Sequence, residues 1–455
     1  MKDRVPTKPG RVKLTKADGS SEYVTMERAD EPTQVGTPLN KGTLLSDATA
    51  AALGLTGDAT VNDGLAKLAL GPFEIGDTLS TLRTDLGDKW LLCNGAEVDK
   101  TTYPSLYDLS SVNKSDATVR SFGDPYDIAS DGTTYVMCGY DRSALKALIG
   151  YTVNPTENSS AWTYVNLGGI ANWKATRIMV RNGVWVAVGY SMNDESYLPV
   201  IATTTNPAGD WTVQTISSQK CQLTGLVYAF GKWITAGSTG NGSNTRIFTT
   251  ANPMSSWAET VINTKNDNFK LEDLAFNGAT LCAIGYGYYN NNPYALVKDS
   301  SSGPWVLKKL SDTLYFHLNS ITYADGKWVA AGQYTSYNEI GIYVSLDLNT
   351  WQFKEYGSVA YYGAFIEYWN GSWCVGGSYQ KGHPYMITTT DPLKDWEEIT
   401  LTDYDDDVLG ASAAGNYLFA LGRDHSDSSA RLITLLKKLP QISVNGVYTY
   451  IKAKE

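Results

Sequence analysis

The octapeptide Asn182-Gly183-Val184-Trp185-Val186-Ala187-Val188-Gly189 (NGVWVAVG) joins a tight-turn signal to an unbroken apolar run that stops at a glycine. Asn-Gly supplies the positive φ of a short hairpin loop, so one strand ends before Asn182 and an antiparallel partner starts after Gly183. The run does not alternate apolar with polar residues, which predicts a strand covered on both faces. The pattern recurs along the chain as YVMCG (135–139), WVAVG (185–189), WITAG (233–237), LCAIG (281–285), WVAAG (328–332), WCVGG (373–377, glycine in the fourth apolar place) and LFALG (418–422). A turn signal stands before each: Asp131-Gly132, Asn182-Gly183, Phe230-Gly231, Asn277-Gly278, Asp325-Gly326, Asn370-Gly371 and Ala414-Gly415. The interval is roughly 45 to 50 residues, the length of one supersecondary unit in a repeat protein.

A second landmark follows six of the seven runs by roughly 20 to 25 residues, as one unit of this kind requires. It is a Trp at 162, 211, 257, 305, 351 and 396, commonly after a segment such as TTTNPAGDW or TTTDPLKDW. Each unit therefore reads as four strands: one before the turn, the apolar run, a stretch ending near the threonines, and one beginning near the Trp. Four-stranded units repeated at this period predict a β-propeller of seven blades, whereas a sandwich of unrelated strands would leave the period unexplained. The seventh copy has no Trp-led fourth strand, and Ala117–Phe122 (ATVRSF) is a strand-like piece that precedes the first copy. Its expected place is the outer edge of the blade containing Gly422, which closes the ring and removes an open edge. Closure brings residues 115 and 438 together, so the propeller can sit inside another domain without disrupting it. Trp90–Ser110 (WLLCNGAEVDKTTYPSLYDLS) and Leu439–Glu455 (LPQISVNGVYTYIKAKE) read as the two halves of that host.

The net charge of −10 and pI near 5.0 argue against tracking a phosphate backbone, so nucleic acid is not an expected partner. Cys93, Cys138, Cys221, Cys282 and Cys374 are far apart and odd in number, which predicts buried thiols and neither a disulfide framework nor a zinc site. The N-terminus carries no apolar run of signal-peptide length, and no segment reaches the roughly 18 to 20 apolar residues of a membrane span. The chain is expected to be made and kept soluble, without membrane insertion. Residues 1–44 are rich in Pro, Gly and charge, while Ser46–Leu55 and Val61–Leu70 read as short helices, with Asp47 and Asn62 or Asp63 as start signals. Such a head suits a segment ordered by docking to a larger assembly.

Lys89-Trp90-Leu91-Leu92-Cys93-Asn94-Gly95, followed by Thr101-Thr102-Tyr103-Pro104-Ser105-Leu106, resembles the phage tail-collar motif, a W-L-x-C-[DN]-G turn followed by T-x-Y-P-x-L. The ending LPQISVNGVYTYIKA is similar to the segment that closes many such proteins. RVPTKPGRVKLT, RADEPTQVGTPLNKGTLLSD and ATVNDGLAKL resemble the attachment modules of tail fibres from phages and prophages of Firmicutes. The likeness covers roughly residues 1–110 and 439–455, and the usual collar middle is absent, with the repeats in its place. It implies a mainly β protein with three parts: a virion-attachment module (1–72), a split collar-like domain (73–114 plus 438–455) and an inserted seven-bladed propeller (115–437). The expected function is that of a tail fibre or receptor-binding protein of the virion, synthesised in the host cytoplasm. Its implied partners are baseplate or tail-tip proteins, through residues 1–72, and a bacterial surface glycan or protein, with a homotrimer as the assembly. The alternatives are a purely structural baseplate component and a sialidase-like glycan-degrading enzyme.

The residues give little support to catalysis. Ser345–Trp351 (SLDLNTW) and Thr389–Trp396 (TTDPLKDW) resemble degenerate Asp-box turns, which carry fold and not activity. Arg142, Arg177, Arg181, Arg246, Arg423 and Arg431 do not recur at one blade position, as a converging carboxylate site would need. Asp405-Asp406-Asp407 reads as a solvated charge run rather than a calcium site, and His317, His383 and His425 are too scattered to indicate zinc. No enzyme activity, cofactor or metal is expected. Strand parity puts the tight turns on one rim and the longer connections on the other. Those connections are rich in Tyr, Asn and Ser, the composition of adaptable recognition loops. The candidate receptor-binding residues are Tyr190, Tyr197, Tyr286, Tyr288, Tyr289, Tyr334, Tyr337, Tyr361, Tyr362, Tyr379 and His383, with Tyr315 beside them.

Overall fold

The computed structural model describes residues 11–25, 50–51, 55, 60, 63, 75–81, 84, 86–94, 96, 98, 102–109, 112–120, 123–156, 161–193, 197–264, 266–311, 315–334, 339–356, 361–379, 384–400, 406–424, 430–437 and 448–454. The chain divides into two compact units, Met1–Asp77 with Glu455, and Thr78–Lys454. In the first, Arg11–Thr15 pairs antiparallel with Ser21–Thr25. Of the two expected helices, Ala50–Ala51 and Asp63 are helical, and the remainder lies almost wholly outside the described residues. Thr60 caps the second: its hydroxyl accepts from Asp63 N while its own N–H donates to Asp63 Oδ2.

In the second unit, seven four-stranded antiparallel sheets are present among the described residues. Their first strands are Asp124–Ser130, Trp173–Arg181, Gln222–Ala229, Phe269–Phe276, Phe316–Ala324, Tyr361–Trp369 and Asp406–Ala414. Each packs against the next, and the last returns to the first. The buried side chains follow the same ring. Trp185 and Ala187 pack toward the first sheet with Val136 and Ile149, whereas Val186 and Val188 pack toward the third with Leu223 and Trp233. Alternate residues of one apolar strand thus feed two different cores, which is why that strand shows no polar face. Ile128 and Met137 of the first sheet share a core with Phe419, Leu421 and Leu432 of the last. The chain is mainly β, with a propeller-like arrangement of its sheets.

The seventh sheet takes its fourth strand, Val112–Arg120, from ahead of the first sheet, paired antiparallel with Ala430–Lys437. The strand starts five residues before Ala117, and Ser121 and Phe122 lie outside the described residues. Trp90–Leu92 and Thr78–Thr81 flank the near-C-terminal strand Tyr448–Lys452 in a separate three-stranded sheet. Cys93 N donates to Thr449 O at 2.8 Å, and Trp90, Leu106 and Tyr450 are buried. The segment opened at Trp90 and the end of the chain therefore belong to one sheet, although residues 442–447 are not among those described.

Six of the seven turn signals resolve into two geometries. Asn182/Gly183, Phe230/Gly231, Asp325/Gly326 and Asn370/Gly371 have positive φ at both positions, as a two-residue hairpin requires. Asp131 and Asn277 instead open four-residue loops, since Ser130 pairs with Tyr135 and Phe276 with Leu281. Their side-chain oxygens accept two backbone N–H groups each, from Thr133 and Thr134 and from Ala279 and Thr280. The hydrogen-bonding side chain fixes the wider loop there.

Candidate functional site

Every first strand carries a register shift at the same place, for example between Ala175 and Arg177 or between Leu271 and Asp273. The repeated glycine is its counterpart. A Cβ on Gly139, Gly189, Gly237, Gly285 or Gly332 would overlap the carbonyl oxygen of Asp124, Lys174, Gln222, Lys270 or His317 on the facing strand. The bulge also links sheet to sheet. Thr176 Oγ1 donates to Leu223 O at 2.7 Å and Thr224 Oγ1 to Leu271 O at 2.9 Å, each reaching the next sheet. Asp127 Oδ2 accepts Ile178 N at 2.9 Å, and Asp273 Oδ2 accepts Ile321 N and the Ser320 hydroxyl at 3.0 Å.

Residues of all seven first strands line a central cavity of about 530 Å³. Its charged lining is Asp127, Lys174, Arg177, Glu272, Asp273 and Glu367. Burial pushes the Asp127 carboxyl up to about 6 against the pull of Arg177, and burial likewise raises Glu272 and Glu367. Arg177 lies 3.7 Å from Asp273 and donates to Thr176 O; Glu272 lies 3.3 Å from Lys270. The acids are thus committed to neighbouring backbone or to internal cations. Sequence reading missed this lining because Asp127, Arg177 and Asp273 share the position just after the register shift with Gly225, Ser320, Phe365 and Gly410, so charge of one sign does not recur there. The available signal was a charge flanked by apolar residues inside a first strand, as in TRIM (176–179), EDLA (272–275) and FIEY (365–368).

The described candidate tyrosines fall on the rim opposite the tight turns, in different surroundings. Tyr288 and Tyr289 are exposed, 44% and 70%, with ring centroids 5.0 Å apart edge to face, and Tyr315 is 62% exposed. Their loop is fixed on both sides. Tyr288 N donates to Asn268 O at 2.8 Å, and Phe316 N donates to Asn291 O at 2.6 Å. Beneath it, buried Tyr286 stacks on His317 at 3.5 Å and accepts a hydrogen bond from Lys270 Nζ at 3.0 Å. Burial and Lys270 hold the His317 imidazole down at about 4. Tyr190 and Tyr197 meet edge to face at 6.0 Å, partly buried. Tyr334 packs against Phe316 and Phe353. Tyr361 pairs with Tyr379 and Tyr362 with Ser378 at strand ends, with only their backbones described. Tyr337, His383 and Asp405 lie outside the described residues.

The opposite rim is built for shape. Thr204, Thr250 and Thr389 each accept, through Oγ1, the backbone N–H two residues on, and the Trp211 and Trp257 indoles donate to Pro207 O and Pro253 O. In Ser345–Trp351, Ser345 Oγ accepts Leu348 N and Asp347 Oδ1 accepts Asn349 N and Thr350 N. Trp211, Trp257 and the Asp-box-like turn thus close hairpins. All five cysteines are free and buried. Among the described residues, no cluster of His, Cys, Asp or Glu is arranged to hold a metal ion, and no helix is long and apolar enough to cross a membrane.

Comparison with known proteins yields likeness of fold alone. No family model matches the chain. No curated protein matches it by sequence. Among solved structures, a phage phi92 endosialidase is similar with 9% identity and a TM-score of 0.46, over 74% of this chain and 70% of that one. The β-propeller domain of the trilobed protease from Pyrococcus furiosus gives 10% identity and 0.44, over 71% and 97%. The WD40 β-propeller domain of Doa1 gives 10% and 0.45, over 68% and 93%.

Proposed function

We propose that the chain is a tail fibre or receptor-binding protein of a phage or phage-tail-like particle. In this reading a seven-bladed propeller (115–437) is inserted into a collar-like domain (73–114 with 438–455), and residues 1–72 attach the protein to the baseplate or tail tip. The resemblance of the ends to tail-collar and attachment segments supplies the setting. The observation that carries the binding role is the fixed loop presenting Tyr288 and Tyr289 to solvent beside Tyr315, on the rim away from the structural turns. Rings held in place by backbone hydrogen bonds offer broad contact at low entropic cost. The ligand is a glycan or protein of a bacterial surface. Action is by binding and not by catalysis, in keeping with cavity acids committed to backbone and cations.

The test is adsorption to a panel of bacterial cells by the full chain and by the pair Tyr288→Ala, Tyr289→Ala. Loss of about tenfold or more in adsorption is expected with a nearly unchanged thermal transition, because exposed rings contribute contact energy and little core energy. Adsorption at the parent level would place the receptor site elsewhere.

A further inference from the structure

Lys174, a cation of the cavity lining, is not matched by a carboxylate as the lining acids are matched by cations and backbone, and Arg142 lies outside the lining. Lys174 lies opposite Tyr190 in the strand register, and its ammonium stands 4.8 Å from the Tyr190 ring centroid and 5.1 Å from that of Tyr126. All three residues line the cavity. No carboxylate among the described residues forms an ion pair with Lys174. The Tyr126 hydroxyl leads on to buried Asp124, 3.3 Å away. That one carboxylate is divided between two guanidiniums, Arg142 Nε at 2.9 Å and Arg423 at 3.2 Å. Arg142 remains half exposed, at 51% of its side chain. The adjacent carboxylate, Asp141, is fully engaged with Ser143, Ala144 and Asn166.

Cation–π contact stabilises an ammonium without neutralising it, and a carboxylate shared by two guanidiniums leaves donors of Arg142 facing water. An anion arriving here would gain charge-assisted hydrogen bonds without first breaking an ion pair of Lys174. A cation would find no such vacancy, since Asp127, Asp273 and Glu367 accept backbone N–H groups and Asp273 and Glu272 pair with Arg177 and Lys270. The cavity is wide enough for a sugar residue, and Tyr126 and Tyr190 supply ring surface beside the cations. We propose that the surface running from Lys174 in the cavity lining past Tyr126 and Asp124 to Arg142 is an anion subsite that takes the carboxylate or phosphate of a charged surface polysaccharide. The inference rests on the receptor-binding reading and names the ligand class.

Three probes sharing one sugar separate the possibilities: an oligomannuronate, a phosphomannan and a neutral mannan of equal length, each titrated against the full chain at low and high NaCl. One charged probe is expected to bind, with affinity falling as salt rises. Lys174→Gln and Arg142→Gln should each weaken it by about tenfold, the scale of one charge-assisted hydrogen bond, with the thermal midpoint unchanged for Lys174→Gln and lowered for Arg142→Gln only as far as the remaining Arg423 pair allows. Lys232→Gln, on an exposed turn of the other rim, should leave binding intact. Which charged probe binds decides between carboxylate and phosphate. Equal binding of neutral mannan, no binding of either charged probe, or parent-level binding by both subsite variants overturns the proposal. Cell adsorption that persists while no charged probe binds removes this inference and leaves the receptor reading. Binding of a charged probe without adsorption to any cell does the reverse.

Discussion

Asp127 and His317 belong to adjoining parts of one ring but respond to acid in opposite senses. Asp127 faces Arg177 and Asp273, and burial holds its carboxyl at about 6, above the ordinary 3.8. Between those values the folded chain carries more protons than the unfolded one, so this group's contribution to stability falls as pH rises. His317 faces Lys270 and Tyr286 and is held at about 4, below the ordinary 6.5. There the unfolded chain carries more protons, and the contribution is lost as pH falls. Relative to the parent, the thermal midpoint of Asp127→Asn should therefore climb from pH 4 to 6, while that of His317→Gln should decline over the same range. Parallel slopes in the two differences would show that these side chains titrate as they do in the unfolded chain. Neither behaviour was legible in sequence. Only Asp273 repeats Asp127 after the bulge, where the other repeats carry Arg177, Gly225, Ser320, Phe365 and Gly410, and the strand position of His317 is filled by Asp124, Lys174, Gln222 and Lys270 elsewhere.

At the scale of strands, the apolar run and its glycine were legible because both have a steric cause that repeats. Two-sided cover forbids polar residues, and the carbonyl beside the bulge forbids a Cβ at Gly189 and its counterparts. The bulge itself, and the four-residue loops at Asp131 and Asn277, were not legible, since Asp-Gly and Asn-Gly serve two-residue and longer turns alike. The closing strand was legible as an unassigned piece, but its bounds shifted to Val112–Arg120, a segment too polar to announce itself by pattern. Hydrogen-bonded and non-hydrogen-bonded pairs alternate along an antiparallel ladder, so at least one of Asp116 and Ala117 donates to the strand holding Ile433 and Leu432. Proline at both positions removes that donor. Hydrogen exchange should then accelerate across Ala430–Lys437 by about tenfold or more while the third sheet, Gln222–Asn263, stays protected. Unchanged exchange would mean that the ring is held shut by the side-chain core around Phe419 alone.

For the whole molecule, the arrangement of edges decides how copies can associate. Several outer strands are four residues long, and Val306–Lys309 and Glu397–Thr400 carry charge at their exposed edges. Short, charged edges are poor templates for pairing with another chain, and the other strands of each sheet are already paired. The four-stranded sheets therefore give little means of self-association, and the homotrimer proposed for the chain would draw on the segments outside them. Residues 1–77 form a compact unit of their own. Its one described hairpin exposes Leu14 at 50% and Tyr23 at 61%, which is costly for a two-stranded sheet left alone in water. Removing residues 1–77 should lower the mass measured by light scattering from that of three copies to that of one, with the far-ultraviolet spectrum and thermal transition of the remaining sheets kept. A three-copy mass after the deletion would assign assembly to the sheet of Trp90 and Tyr450 or to the outer strands, and a single-copy mass before it would remove the trimer altogether.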